Sequence, residues 1–438
     1  MKKTIAFLLC ILLILSLIGC GQNPIETTTA QTETQPQTTA APVHTLRVGF
    51  GRSDMTPQAP MPIGDPYLGK PKMSTAVLDP LLISCVAFSD ENDNTVLLFH
   101  MDLGNIRETE MNARIPISEE LGIPVDNIIV AATHTHATPR LATSHEGVMA
   151  WNDAKPALML QAARDAMADR KPAQMYTSAI TCPNMNFIRH YVLDNGKYAG
   201  DNFGSFSKAN IVKHTEDADN TLQLIKFVRE GGKDVVLANW QGHPHRANSG
   251  GGTVITSDIV GVMRATMEEQ TDCLFAYFSG ASGNINNSSR IPGETITKDY
   301  IEHGQKLAEF AQQAEENYIL REIGPVQVLT RQFVATLKHT TRTAEIPISA
   351  FSLGDVAFVA APYEMFNSKG MEIKNFSPFE VTFISTYTNG GHGYLPDEKT
   401  TNAYQSYEQT QTRYVLGTAD LISLEHIAML KELYPTAK

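Results

Sequence analysis

Two short segments of this chain carry side chains suited to metal chemistry. In Ala132-Thr133-His134-Thr135-His136-Ala137-Thr138-Pro139 an apolar stretch runs straight into two histidines at i and i+2. In an extended chain that spacing sets both imidazoles on one side. Asn239-Trp240-Gln241-Gly242-His243-Pro244-His245 repeats the arrangement, with Gly and Pro shaping the turn. Imidazole is the commonest nitrogen ligand for zinc, and no CxxC accompanies either pair, so a metal-centred hydrolytic site is a better match than a zinc finger. Each HxH alone also reads as a pair of hydrogen-bonded loop histidines. Together, the histidines at 134, 136, 243 and 245 could hold two metal ions, an arrangement that serves ester or phosphoester cleavage. A third segment, Ser279-Gly280-Ala281-Ser282-Gly283-Asn284-Ile285-Asn286-Asn287-Ser288, follows an apolar run. Glycines and small polar residues there let backbone N–H groups converge on an anion or oxyanion, or form a plain tight turn.

The elements that must position these residues alternate along the chain. Apolar runs predict strands at 46–49, 82–88, 96–99, 127–132, 222–227, 235–240, 274–278, 326–333, 356–360 and 381–385. Amphipathic stretches predict helices at 108–121, 156–168, 258–269, 298–314, 364–373 and 412–433. Ile128-Ile129-Val130 and Val235-Val236-Leu237 are continuous apolar runs, as in strands covered on both faces. The interleaving predicts a layered α/β fold, a mixed β-sheet with flanking helices, in a single large domain over 45–438. Both histidine pairs then fall at strand ends, where sites of open α/β sheets collect.

The N-terminus reads as an export signal. Lys2 and Lys3 precede an apolar run of about 14 residues, short of the roughly 20 a membrane-spanning helix needs. The run ends in Leu17-Ile18-Gly19-Cys20, the form of a bacterial lipobox, which predicts a signal peptide over 1–19 and lipidation of Cys20. Residues 20–44, rich in Thr, Gln and Pro, cannot bury enough surface to offset their ordering entropy and read as a tether. The expected location is the bacterial cell envelope, on a membrane surface held through Cys20. Loss of the two lysines takes the net charge from −12 to −14, which disfavours nucleic acid as a partner. Of five cysteines, Cys85, Cys182 and Cys273 remain after removal of Cys10 and lipidation of Cys20, and are expected as buried thiols.

Taken in order, these segments resemble the catalytic domain of the neutral, non-lysosomal ceramidases, zinc-dependent hydrolases of the N-acyl amide of ceramide. Val48-Gly49-Phe50-Gly51-Arg52-Ser53-Asp54-Met55-Thr56-Pro57 is similar to the family's first strand and turn, and Asp79-Pro80-Leu81 and Met101-Asp102-Leu103 follow in order. The resemblance implies one zinc ion per chain, with His134 and His243 as ligands and His136 as a proton-transfer residue beside the metal. Ala361-Pro362-Tyr363-Glu364-Met365-Phe366 resembles a family segment that supplies the ligand Glu364, and Gly391-His392-Gly393-Tyr394-Leu395-Pro396 one that supplies Tyr394. Tyr407-Glu408 matches a pair whose tyrosine stabilises the oxyanion, with Arg189 as its companion. His245 receives no role from the family.

The sequence departs from the family at three places. Asn286 stands where the family has a serine, which closes a covalent route through that position; its amide could donate to an oxyanion. Arg189 stands three residues after Asn186, where the family places its arginine immediately after an asparagine, and no counterpart of the family's C-terminal β-sandwich is expected. The resemblance implies a small-molecule or lipid amide as substrate. Two other function classes stay open: a metal hydrolase of an ester or a cell-wall amide, and a non-catalytic surface lipoprotein with a vestigial site.

Overall fold

The structure is a computed structural model and describes residues 44–63, 72–140, 144–249 and 251–434. The expected signal peptide, Cys20 and tether up to residue 43 lie outside the described residues. From His44 onward the chain forms one compact unit.

A large mixed sheet takes, in spatial order, Leu274–Ser279, Val235–Trp240, Thr221–Arg229, Lys171–Thr181, Leu46–Asp54, Leu82–Ser89, Thr95–Met101 and Ile128–Ala132. Its first and last pairs are parallel and the pairs between them antiparallel. A four-stranded sheet of Val326–Thr336, Thr343–Leu353, Val356–Ala361 and Val381–Thr386 packs on one face. Phe88 and Phe227 of the large sheet meet Phe351, Phe358 and Phe383 of the small one in that interface. The other face of the large sheet is covered by helices Glu108–Leu121 and Glu146–Ala168 at one end and Ile259–Thr271 and Tyr300–Gln313 at the other. Helices Asn367–Phe376 and Thr418–Leu433 cover the outer face of the small sheet. The layers run helix, sheet, sheet, helix, each apolar face buried against the next.

Helix 146–168 lies directly on the first strand. An added Cβ at Gly51 would sit 2.1 Å from the Ala162 carbonyl oxygen, so only glycine admits this approach. The helix begins ten residues before the predicted start at Pro156, which sits in its interior. Burial of Val148 and Trp151 by the added turns outweighs the proline's missing N–H. Two strands of the two main sheets escaped the periodicity. Lys171–Thr181 interrupts its apolar positions with Lys, Gln and Thr, and Thr343–Leu353 carries Pro347. Pro347 is tolerated because only Ser349–Ser352 of that strand pair with the neighbour on the second side. The three expected thiols, Cys85, Cys182 and Cys273, are buried and free. Among the described residues no helix is long and apolar enough to cross a membrane.

The two ends of the large sheet curl toward each other. Ser279, on one edge strand, donates its hydroxyl to the Thr133 carbonyl beyond the opposite edge at 2.8 Å. The free side of Ile128–Ala132 is taken by the segment after the small sheet's last strand, where Asn389 N–H donates to Val130 O at 2.8 Å and its side chain accepts from Val130 N–H. The carboxyl ends of strands from both sheets are thereby gathered at one place.

Candidate functional site

Five of these strand ends deliver the site. Thr133 and His134 N–H groups donate to Met101 and Leu103 carbonyls, which carries the edge pairing past Ala132. His134 itself is left-handed, with φ of 63°. The two histidines of this segment therefore meet through a turn, and not through the alternation of an extended chain. His134 Nδ1 lies 2.6 Å from Gly104 O, which makes Nδ1 the protonated nitrogen and leaves Nε2 with a free lone pair. That Nε2 is 3.2 Å from His136 Nε2, which is in turn 3.0 Å from His243 Nε2. The loop with His243 comes from the far end of the sheet order and is tied in by His136 N–H donating to Pro244 O. The Tyr387 ring stacks on His134 with centroids 3.6 Å apart.

Burial pushes the imidazoles toward neutrality. His134 is brought down to about 3 by desolvation, against the Gly104 hydrogen bond, and His136 and His243 are held well below the ordinary histidine value by the same cause. Three neutral rings then turn their Nε2 atoms on one another, and the protons available to them cannot satisfy every lone pair. A cation resolves that conflict, so the donor set fits a metal ion of the zinc type.

Glu364 and Tyr394 stand beside this cluster. Glu364 was expected to open a helix. It lies instead in a two-residue strand, Glu364–Met365, paired in parallel with Tyr394–Leu395, and the helix starts at Asn367. The reason is the Gly-rich turn: Gly283 N–H donates to Met365 O at 2.8 Å, and a Cβ on Gly283 would fall 2.8 Å from Glu364 O. Register makes Glu364 and Tyr394 direct neighbours, and Tyr394 hydrogen-bonds the Glu364 carboxylate. Glu364 Oε2 is 3.9 Å from His134 Nε2 and 3.5 Å from the Tyr387 hydroxyl. Burial raises Glu364 to about 7, although Arg189, Tyr394 and Tyr387 oppose it.

Of the two readings of the Gly-rich turn, the geometry fits the plain tight turn. Gly280, Gly283 and Ile285 spend their N–H groups on Trp240, Met365 and Ser282 carbonyls, so the turn packs backbone on backbone and does not cradle a ligand with these amides. Asn286 turns its Nδ2 to the carboxylate of Asp201, and its Oδ1 is buried with no hydrogen-bond partner among the described residues. One of the two Nδ2 hydrogens is thereby directed at Asp201. Asn287, the next residue, ties the turn to the His243 loop by donating to His243 O at 2.7 Å.

Arg189 is buried, with its Nη2 3.3 Å from the Tyr394 hydroxyl, and the Tyr407 ring stands edge-on to Tyr394 at 5.9 Å. The structure thus brings His134, His136, His243, Glu364, Tyr394, Arg189 and Tyr407 into one neighbourhood. His136 lies as close to His134 and His243 as a third ligand would. His245 donates from Nδ1 to His243 O at 2.8 Å, holding the His243 loop. Residues that sequence reasoning did not single out are Tyr387, which backs His134, and Glu408, which grips Arg189. Glu408 was visible as the second member of the Tyr407-Glu408 pair; nothing in the sequence marked Tyr387.

No family model and no curated protein sequence matches the chain. Solved structures do. A ceramidase complexed with C2 superposes with a TM-score of 0.68 at 15% identity, covering 90% of this chain and 76% of that one. A neutral ceramidase from Pseudomonas aeruginosa gives 0.68 at 16% identity with the same coverage. The fold is that of the neutral ceramidases. The ceramidase fold accounts for the curled mixed sheet and for the meeting of distant strand ends described above.

Proposed function

We propose that this chain is a metal-dependent hydrolase of N-acyl amides. The observation that carries the reading is the convergence of His134, His136 and His243, buried and neutral, on a point flanked by Glu364 and Tyr394. His134, His243, Glu364 and Tyr394 would hold one zinc ion, and zinc in such a shell supplies Lewis acidity toward a carbonyl and toward water near neutral pH. His136, with its Nε2 between the other two imidazoles, is placed to hold a proton and return it to a leaving amine. Arg189 and Tyr407 lie on the Tyr394 side of the cluster, where a carbonyl oxygen gaining charge would be met by their donors. Tyr387 and the Gly104 carbonyl fix the His134 ring, so the geometry does not depend on the substrate.

The substrate class follows from the ceramidase fold and the resemblance of the ligand segments. A lipid amide is the first candidate. The lipobox at Cys20 supports a chain exported to the bacterial envelope and anchored there by lipid, with residues 20–44 as the tether and the globular part as one hydrolase domain. The test is metal analysis of the purified protein together with hydrolysis of a panel of N-acyl amides and their matched esters. About one zinc per chain is expected, lost on His134→Ala, His243→Ala or Glu364→Ala. A wild type that binds no metal would remove the enzymatic reading. Two metal ions per chain would favour the ester or phosphoester alternative.

A further inference from the structure

The site holds an arginine whose charge is already cancelled. Glu408 is fully buried, and its Oε1 accepts from both Nε and Nη2 of Arg189, at 2.7 and 2.5 Å. Its Oε2 lies 3.0 Å from His190 Nε2, and His190 Nδ1 lies 2.8 Å from the Tyr404 hydroxyl. With Nε2 donating to the carboxylate, Nδ1 can accept from the Tyr404 hydroxyl. Tyr404 is itself packed between rings, with Tyr198 stacked at 4.4 Å and Phe203 at 5.8 Å. The carboxylate is therefore fixed on both oxygens, and nothing in its setting lets it swing away from Arg189.

This has a consequence for ligands. An arginine binds a carboxylate best through a two-pronged edge, either Nε with Nη2 or the Nη1 and Nη2 pair. Glu408 fills the first edge, and the Tyr394 hydroxyl takes up Nη2 on the second. What remains is single-donor contact from a guanidinium with no net charge to offer. On the amide-hydrolase reading, which this inference takes as its basis, RCO–NHR′ and water give RCOO⁻ and R′NH₃⁺. The substrate is neutral where the product is an anion, and a bare buried arginine would favour the product.

We propose that Glu408 is the counter-charge of the site, a positioning residue that keeps Arg189 as a hydrogen-bond donor for a neutral amide and stops it from retaining the carboxylate product. The experiment measures binding of hexanoate, with hexanamide as the neutral control, to zinc-loaded full-length wild type, Glu408→Gln, Arg189→Gln and the double variant. Calorimetry reads the binding, and metal content and unfolding temperature are measured alongside. In Glu408→Gln the hexanoate Kd is expected to fall about tenfold or more while hexanamide stays within about twofold. Turnover of an amide should drop in the same variant with a lower Ki for its carboxylate product. Should Glu408→Gln fail to fold, Arg189→Gln carries the reverse expectation: both ligands lose a donor, and hexanoate weakens about tenfold more than hexanamide. Should both fail, the charge-free double variant must keep the ratio of hexanoate to hexanamide Kd within about twofold of wild type, because the pair's net charge is unchanged.

Hexanoate and hexanamide shifting equally, or neither shifting, in a folded single variant overturns the proposal, as does a tenfold change of their ratio in the double. A merely structural Glu408 would weaken both ligands and could not tighten one. If the wild type cleaves no N-acyl amide, the reading beneath falls while the binding ratios stand; unchanged ratios in an active amidase remove this proposal alone.

Discussion

Burial of the ligand set makes a sharp statement about how metal affinity should depend on pH. Metal ligands bind in their deprotonated forms, so affinity weakens wherever a ligand carries a proton in the metal-free protein. Two solvated imidazole ligands with the ordinary value of about 6.5 would each weaken binding about elevenfold at pH 5.5, or about a hundredfold together. Here desolvation holds His134 at about 3 and His243 well below the ordinary value, which favours their neutral forms as the pH falls. Glu364 is shifted the other way, to about 7, and takes up a proton as the pH falls through that value. Its protonation weakens binding about thirtyfold at pH 5.5 and adds one proton per metal to the constant contribution of the Tyr394 phenol, which burial keeps protonated throughout this range. The assay is competition with a chromophoric zinc chelator, run on metal-free protein from about pH 7.5 to 5.5. Glu364→Gln should bind zinc more weakly throughout and lose that one-proton increment. An increment of about three protons in the wild type, two of which survive Glu364→Gln, would refute the claim that the fold keeps the ligand histidines neutral. A slope unchanged by Glu364→Gln would refute the assignment of the proton to Glu364.

Other expectations are as direct. Tyr387→Leu removes the ring stacked on His134 and should weaken zinc binding about tenfold, whereas Tyr387→Phe keeps the stack and should change it by less than about threefold, by the same chelator competition. Gly51→Ala places a methyl group 2.1 Å from the Ala162 carbonyl oxygen and should destabilise the protein by about 2–3 kcal/mol or more in denaturant unfolding. His426, buried in the core between the small sheet and its helices, leaves both ring nitrogens unpartnered among the described residues, and burial depresses it to about 3. His426→Leu should stabilise by about 1–3 kcal/mol and leave amide turnover unchanged. It should also flatten acid unfolding: the unfolded ring gains a proton below about 6.5 and the folded ring does not, so the wild type loses about 1.4 kcal/mol through this group by pH 5.5.

Much of the fold was legible because its signals are local. The run Val235–Trp240 and the helix Glu108–Leu121 have the bounds the sequence predicts, the strand as an unbroken apolar run and the helix ending at the left-handed Gly122. Lys171–Thr181 was not legible because a central antiparallel strand can expose or half-bury alternate side chains, and Pro156 misled because burial of Trp151 carried a helix through it. At the site, the paired histidines stood out by composition and spacing. Glu364 and Tyr394 were found only through their segments' resemblance to a family, since a carboxylate before a helix and a tyrosine in a loop carry no chemical mark of their own.

The amino-acid sequence by itself determined the classes of residue that can act here: two HxH pairs after apolar strands, a Gly-rich turn, and a layered α/β alternation to carry them. These are properties of short windows, where residue type and period suffice. Which residues meet was decided by the tertiary structure alone. His136 and His243 lie near opposite ends of the strand order and touch because the sheet curls, while the register of two short strands sets Glu364 against Tyr394. The neutrality of the histidines, the raised carboxyl of Glu364 and the cancelled charge of Arg189 are likewise absent from any single segment. Each arises from the exclusion of water by partners distant in the chain, and only the assembled fold brings those partners together.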